Sequence, residues 1–134
     1  MSRSRGAGVT VQDVATVESE LGMALPRNYR EFLLNFPPGL YRPAAETGEW
    51  SWLGPDHLMF HTHRSIVEYT RGLWDWGGLA TEFLVIGTDG GGDYWCIHLR
   101  EAGERVYLAD HETGKYRDLN RTLQQHARWL ESIE

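Results

Sequence analysis

Apolar positions in the first forty residues recur at helical spacing. Thr10 and Asp13 form a capping-box pair, Val14, Val17 and Leu21 follow on one face, and Gly22 stops the run, which predicts a helix over about 11–21. Leu25 and Pro26 lead into a second helix, where Tyr29, Phe32, Leu33 and Phe36 make an i, i+3, i+4, i+7 stripe. Pro37, Pro38 and Gly39 end it, because proline cannot continue the hydrogen-bond ladder. Glu49 to Leu53 alternates as a short strand should, closed by Gly54 and Pro55, and Leu58 to Phe60 is a further strand candidate. Ser65 and Glu68 again fit a capping box, and Ile66, Tyr69 and Leu73 predict a third helix over about 65–75, ended by Gly77 and Gly78.

The period then changes to two. Phe83 to Ile86 reads as a fully buried strand, followed by the turn-forming series Gly87 to Asp93. Tyr94 to Leu99 is a strand with Tyr94, Cys96 and His98 on one face and Trp95, Ile97 and Leu99 on the other. Glu101, Ala102 and Gly103 link it to a third strand, Arg105 to Ala109, completing an antiparallel meander. Asp118 is placed to cap a last helix with the stripe Leu119, Leu123, Ala127, Leu130 and Ile133. The order is helices, strands, helix, which predicts an α+β fold: an antiparallel sheet with N-terminal helices and a C-terminal helix packed against it. No repeat or linker divides the chain, so residues 1–134 are expected to form a single domain, with about 1–9 as a flexible tip.

Composition agrees with a globular domain. At 134 residues, 41% of them hydrophobic, the chain can bury a core without disulfides or metal. Its net charge of -6 repels phosphate backbones and anionic lipid, so neither nucleic acid nor a membrane is expected as partner. No apolar stretch approaches the ~20 residues needed to span a bilayer, and the N-terminus lacks a secretory apolar centre. A single cysteine, Cys96, fits a reducing compartment, and a cytoplasmic location is expected.

Several residue groups invite a chemical interpretation. The glycine cluster before Tyr94 lacks a Lys-Ser/Thr ending, is flanked by Asp89 and Asp93, and leads into a strand, so a structural turn explains it better than a phosphate loop. His57, His61, His63, His98 and His111 follow no metal-ligand spacing and have no cysteine pair beside them. Asp110, His111 and Glu112 lack a nucleophile, and a hydrogen-bonded turn accounts for them. Cys96, in mid-strand, is expected to behave as a small hydrophobe. No catalytic residues, no metal ligands and no cofactor are therefore assigned.

Leu21-Gly22, Leu25-Pro26, Tyr29 and Phe32-Leu33 form one block of a resemblance. Phe83 to Gly87 running into Asp89-Gly90-Gly91-Gly92-Asp93-Tyr94 form a second, and Val106 with Asp110-His111-Glu112 a third. In order and spacing these blocks resemble the SUKH superfamily, which takes in a fungal cell-wall assembly regulator and many bacterial immunity proteins that neutralise toxins. The likeness covers nearly the whole chain. One departure is Asn35-Phe36-Pro37-Pro38-Gly39, where the family often has an Asn-Gly pair after the second helix. The resemblance implies an α+β protein-binding domain with no shared enzymatic residues.

The tryptophans supply candidate anchors for such a partner. Trp50 and Trp52 alternate on a strand, Trp74 and Trp76 flank Asp75 at a helix end, and Glu49, Asp89 and Asp93 add negative charge near them. Acids around aromatic anchors suit a basic partner, and nuclease toxins are basic because they bind phosphates. The expected function is an immunity protein that binds and neutralises a cognate bacterial toxin. The alternative is a regulatory or scaffold module of the same fold binding an endogenous partner.

Overall fold

A computed structural model of the chain describes residues 9–41, 57–89 and 93–133. The expected strand over 49–53 and the glycines 90–92 lie outside the described residues. Helix α1 is Val11–Leu21. Its capping box forms as expected: the Thr10 hydroxyl accepts the Asp13 N–H at 3.0 Å, and the Asp13 carboxylate accepts the Thr10 N–H at 2.9 Å.

Helix α2, Arg27–Leu34, stops short of Phe36. The residue before a proline is disfavoured in the helical region, and Phe36 precedes Pro37. Phe36 stays buried all the same, edge-on to Phe32 at 5.7 Å between ring centres. A single 3-10 turn, Pro38–Leu40, follows.

Helix α3 is His63–Trp76, and its N-cap is Thr62, not Ser65. The Thr62 hydroxyl accepts the Ser65 N–H at 3.2 Å, which draws Ser65 into the first turn, and Glu68 pairs with Arg64. Thr62 thus satisfies the cap one turn before the Ser65–Glu68 pair could.

The sheet has five antiparallel strands in sequential order: β1 Leu58–Met59, β2 Phe83–Thr88, β3 Tyr94–His98, β4 Arg105–Ala109 and β5 Tyr116–Thr122. Gly87 is obligatory in β2: a Cβ there would run into the Leu58 carbonyl oxygen and stand 3.0 Å from the Trp95 ring, beside a register shift between Val85 and Gly87.

Strand β5 overturns the expectation for the last helix. Asp118 and Leu119 belong to the strand, and helix α4 begins only at Leu123 and runs to Ile133. The hairpin pairs Tyr116 with Ala109, Arg117 with Leu108 and Asp118 with Tyr107. The Asp118 carboxylate accepts the Asn120 N–H at 2.7 Å and is gripped by Arg105 through both oxygens, so it is unavailable as a helix cap. Thr122 and Gln125 cap α4 reciprocally, each side chain bonding the other's backbone N–H.

The pairing sorts the sheet into two faces. Leu84, Trp95, Ile97 and Leu108 share the face against α4, where Trp95 meets His126 and Trp129 edge-on. Phe83, Tyr94, Cys96, Tyr107, Ala109 and Tyr116 share the other. Helix α3 covers the β2 side of that second face, with Tyr69 against Tyr94. Because both faces are covered there, β2 and β3 read as continuous apolar runs. Over β4 and β5 the face opens to solvent, and Arg105, Tyr107 and Asp118 stand on it.

Candidate partner-binding surface

The connections β2–β3 and β4–β5 meet at one end of the sheet. The second is a tight turn: Asp110 N–H bonds Lys115 O, Gly114 N–H bonds Asp110 O, and Gly114 takes the left-handed φ of 72° that a glycine adopts without strain. Oδ1 of Asp110 accepts the N–H groups of Glu112 and Thr113, fixing the turn from inside. The hydrogen-bonded turn expected for Asp110, His111 and Glu112 is what forms.

Asp93 ties this turn to the start of β3. Its Oδ1 accepts the His111 N–H at 2.9 Å and lies 2.6 Å from His111 Nδ1. The backbone N–H of His111 holds the Asp93 carboxyl below its usual range against an opposing effect of burial, with the His111 ring and charge adding smaller contributions. The hydrogen bond to Asp93 in turn raises His111 above the usual imidazole value, again partly opposed by desolvation. Asp93, Asp110 and His111 each place one potential ligand atom within 4.8 Å of the others. These hydrogen bonds already account for their proximity.

Beside this clasp lies a cavity of about 540 Å³. Tyr94, Ala109 and Tyr116 form its sheet side, Leu73, Gly77 and Gly78 bring in the end of α3, and Asp110 and Lys115 stand on the hairpin side. Tyr116 is held rigidly, stacked on Phe83 at 4.1 Å between ring centres while its hydroxyl accepts the Ala80 N–H at 2.6 Å. Gly77, left-handed at φ 85°, ends α3 at the rim.

The residues singled out from the sequence are distributed unequally around this end. Glu49, Trp50 and Trp52 lie outside the described residues, as does the side chain of Trp76. Trp74 is half-buried, and its indole N–H donates to the Phe83 carbonyl at 2.9 Å, bracing α3 on β2. Asp75 is exposed in the last turn of α3, two residues before Gly77 of the cavity wall. Asp89 and Asp93 are half-buried at the two sides of the β2–β3 connection. From sequence Tyr94 is a strand position and part of the second family block, and Tyr116 carries no signal, because the stretch from Asp118 reads as the start of the last helix.

The other histidines scatter. His61 is buried, stacked on Tyr41 and tilted against Phe36; His98 lies 3.6 Å from Glu82; His57 stacks over Trp95. His126 is wholly buried, and among the described residues neither ring nitrogen has a hydrogen-bond partner. Burial, with smaller contributions from Arg121 and His57, pushes it down to about 3, so it is a neutral core residue. Cys96 is wholly buried and burial raises its thiol far above the range in which a thiolate forms, as expected of a small hydrophobe.

The protein-family model described as the SMI1 / KNR4 family (SUKH-1) matches residues 8–126, which include every strand of the sheet and the cavity lining. The chain belongs to this family. No curated protein matches the chain. SUKH-1 membership bears out the superfamily resemblance. The family includes toxin-immunity proteins and SMI1/KNR4 regulators, and it points to protein–protein interaction as the mode of action. Among the described residues no helix is long and apolar enough to cross a membrane.

Proposed function

We propose that this SUKH-1 chain is an immunity protein: a stoichiometric cytoplasmic inhibitor that binds a cognate bacterial toxin domain, with nucleases the class its charge fits best. The observation that carries this reading is the aromatic-walled cavity at one end of the sheet of a strongly acidic chain. Asp110, His111 and Lys115 line it, Asp93 borders it through its bond to His111, and the chain as a whole carries a net charge of -6. A nuclease presents a cationic surface to its phosphates, and an acidic inhibitor gains both encounter rate and complementarity from opposite charge. Binding of this kind occludes an active site and needs no catalysis by the inhibitor.

The test is co-expression with any toxin domain encoded next to this chain. Protection of the host, together with a one-to-one complex on size exclusion and an association rate that falls steeply with salt, is the expected result. A chain that neither binds nor protects overturns the reading, and capture of a host regulatory protein in its place supports the scaffold alternative.

A further inference from the structure

The far end of the β4–β5 hairpin, away from the partner cavity, holds a second pocket of about 340 Å³ lined by Glu104, Arg105, Asn120, Arg121, Thr122 and Gln125. The hydrogen bonds around it decide what these side chains can still offer. Gln125 gives its Oε1 to the Thr122 N–H, and Asn120 gives its Oδ1 to Arg105, so each amide has its NH2 donors left. The Thr122 hydroxyl accepts the Gln125 N–H and keeps its own O–H to donate. Arg105 spends one nitrogen, Nη1, on Asp118 and Asn120, which leaves Nε and Nη2.

Arg121 decides the charge. Its guanidinium lies 4.5 Å from the centre of the Trp129 ring, and its Nε is buried with no hydrogen-bond partner among the described residues. Burial pulls its pKa below the usual value, and no carboxylate counters that. Asp118 balances Arg105, whereas Arg121 has no counter-charge of its own. Glu104 is exposed, forms no ion pair among the described residues and acts on neither arginine. Helix α4 starts beside these groups with no acid in its first turn, so the positive end of its dipole adds to Arg121.

We propose that this pocket binds the phosphate group of a small phosphate monoester, with Arg121 as its charge partner and Arg105, Asn120, Thr122 and Gln125 donating to its oxygens. A lining in which five side chains present donors calls for a ligand made of acceptors. Phosphate fits better than carboxylate because it brings three terminal oxygens against two, and more charge. A volume of about 340 Å³ also admits part of the molecule that bears the phosphate. The net charge of -6, with Glu104 at the rim, disfavours a polyanion such as nucleic acid. The pocket lies apart from the partner cavity and does not rest on the inhibitor reading.

The test titrates the full isotope-labelled chain with glycerol phosphate, with acetate, and with sodium chloride at matched ionic strength. Saturable amide shifts with glycerol phosphate are expected at Asn120, Arg121, Thr122 and Gln125, and at the indole N–H of Trp129. Acetate should bind about tenfold more weakly, and Arg121→Gln should weaken glycerol phosphate about tenfold or more. Gln125→Glu separates binding from folding. It keeps the oxygen that bonds the Thr122 N–H, adds an acid where a helix start favours one, and turns the free donor into a like charge. The melting temperature should hold or rise while glycerol phosphate binding falls about tenfold. Shifts shared with chloride, shifts confined elsewhere, equal binding of acetate, or unchanged binding in Gln125→Glu would each overturn the proposal.

Discussion

His126, under α4, and His111, on the β4–β5 hairpin, are the same side chain put to opposite uses. His126 is wholly buried among Trp95 and Trp129, and burial drives it down to about 3. His111 is half-exposed, and the carboxylate of Asp93 raises it. Around His126 the aromatic area is spent on packing; around His111, Tyr94 and Tyr116 stay half-open beside acids. The difference teaches that neither residue type nor aromatic density marks an interaction surface in this fold. What sets the proposed surface apart is that its polar neighbours are left facing solvent.

The comparison breaks most visibly at Trp95. Trp95 is 2% exposed and anchors the α4 side, so Trp95→Ala should lower unfolding stability by about 3–5 kcal/mol in a urea melt. A loss under about 1 kcal/mol would mean that the aromatic cluster is not core. No substitution of an exposed acid at the cavity end should approach this size.

How much of this contrast could be read beforehand depends on range. The Thr10–Asp13 cap, the stripe of α2 and the buried run of β2 are local, and each took the expected form because three or four neighbouring residues settle it. Strand β5 is not local. Tyr116 to Thr122 alternates no apolar residues, because it is a sheet edge with one half-open face, and only the Gly114 turn and pairing to β4 make it a strand. Asp118 read as a cap because nothing nearby in sequence shows that Arg105 claims it. The site divides in the same way. Asp93 could be suspected from the sequence as an acid beside a glycine turn, but its bond to His111 and the cavity they border exist only once the two hairpins lie side by side.

His126 offers the next largest effect, through pH. Its folded pKa is depressed from 6.5 to about 3, so the unfolded chain binds the proton more readily. Its contribution to stability is therefore fully present above about pH 6.5 and is lost as the pH falls toward 3. The slope is about 1.4 kcal/mol per pH unit, or about 2 kcal/mol lost by pH 5. His126→Leu, which removes the titrating group at similar volume, should flatten that part of the stability profile. An unchanged acid slope in the variant would show that His126 is solvated or hydrogen-bonded in solution.

Trp74 belongs to neither region and braces α3 on β2 through its indole N–H. Trp74→Phe removes the indole bond to the Phe83 carbonyl and should cost about 1 kcal/mol by denaturant melt. If it also weakened partner binding more than tenfold with the fold intact by circular dichroism, Trp74 would belong to the interface, and bracing would be the lesser part of its role.

The smallest effect is the most discriminating, because its sign is opposite to that of His126. His111 is raised above 6.5, so the stability it draws from Asp93 is fully present below about pH 6.5 and is lost as the pH rises through its folded value. Asp93 is lowered below 3.8, so its share is present above about pH 3.8 and lost only as the pH falls through its folded value. The ionic clasp is therefore strongest between these limits, where His126 is already eroding the core. Subtracting the melting temperature of His111→Ala from that of the parent at each pH removes the His126 slope, which both proteins share. The remaining difference should be larger at pH 5.5 than at pH 8.5, and small at both, since a half-exposed pair is heavily screened. At pH 8.5 a neutral imidazole can still donate Nδ1–H to Asp93, so the difference should shrink without vanishing. A difference that did not change with pH would mean that the His111 backbone N–H, and not its ring, holds Asp93.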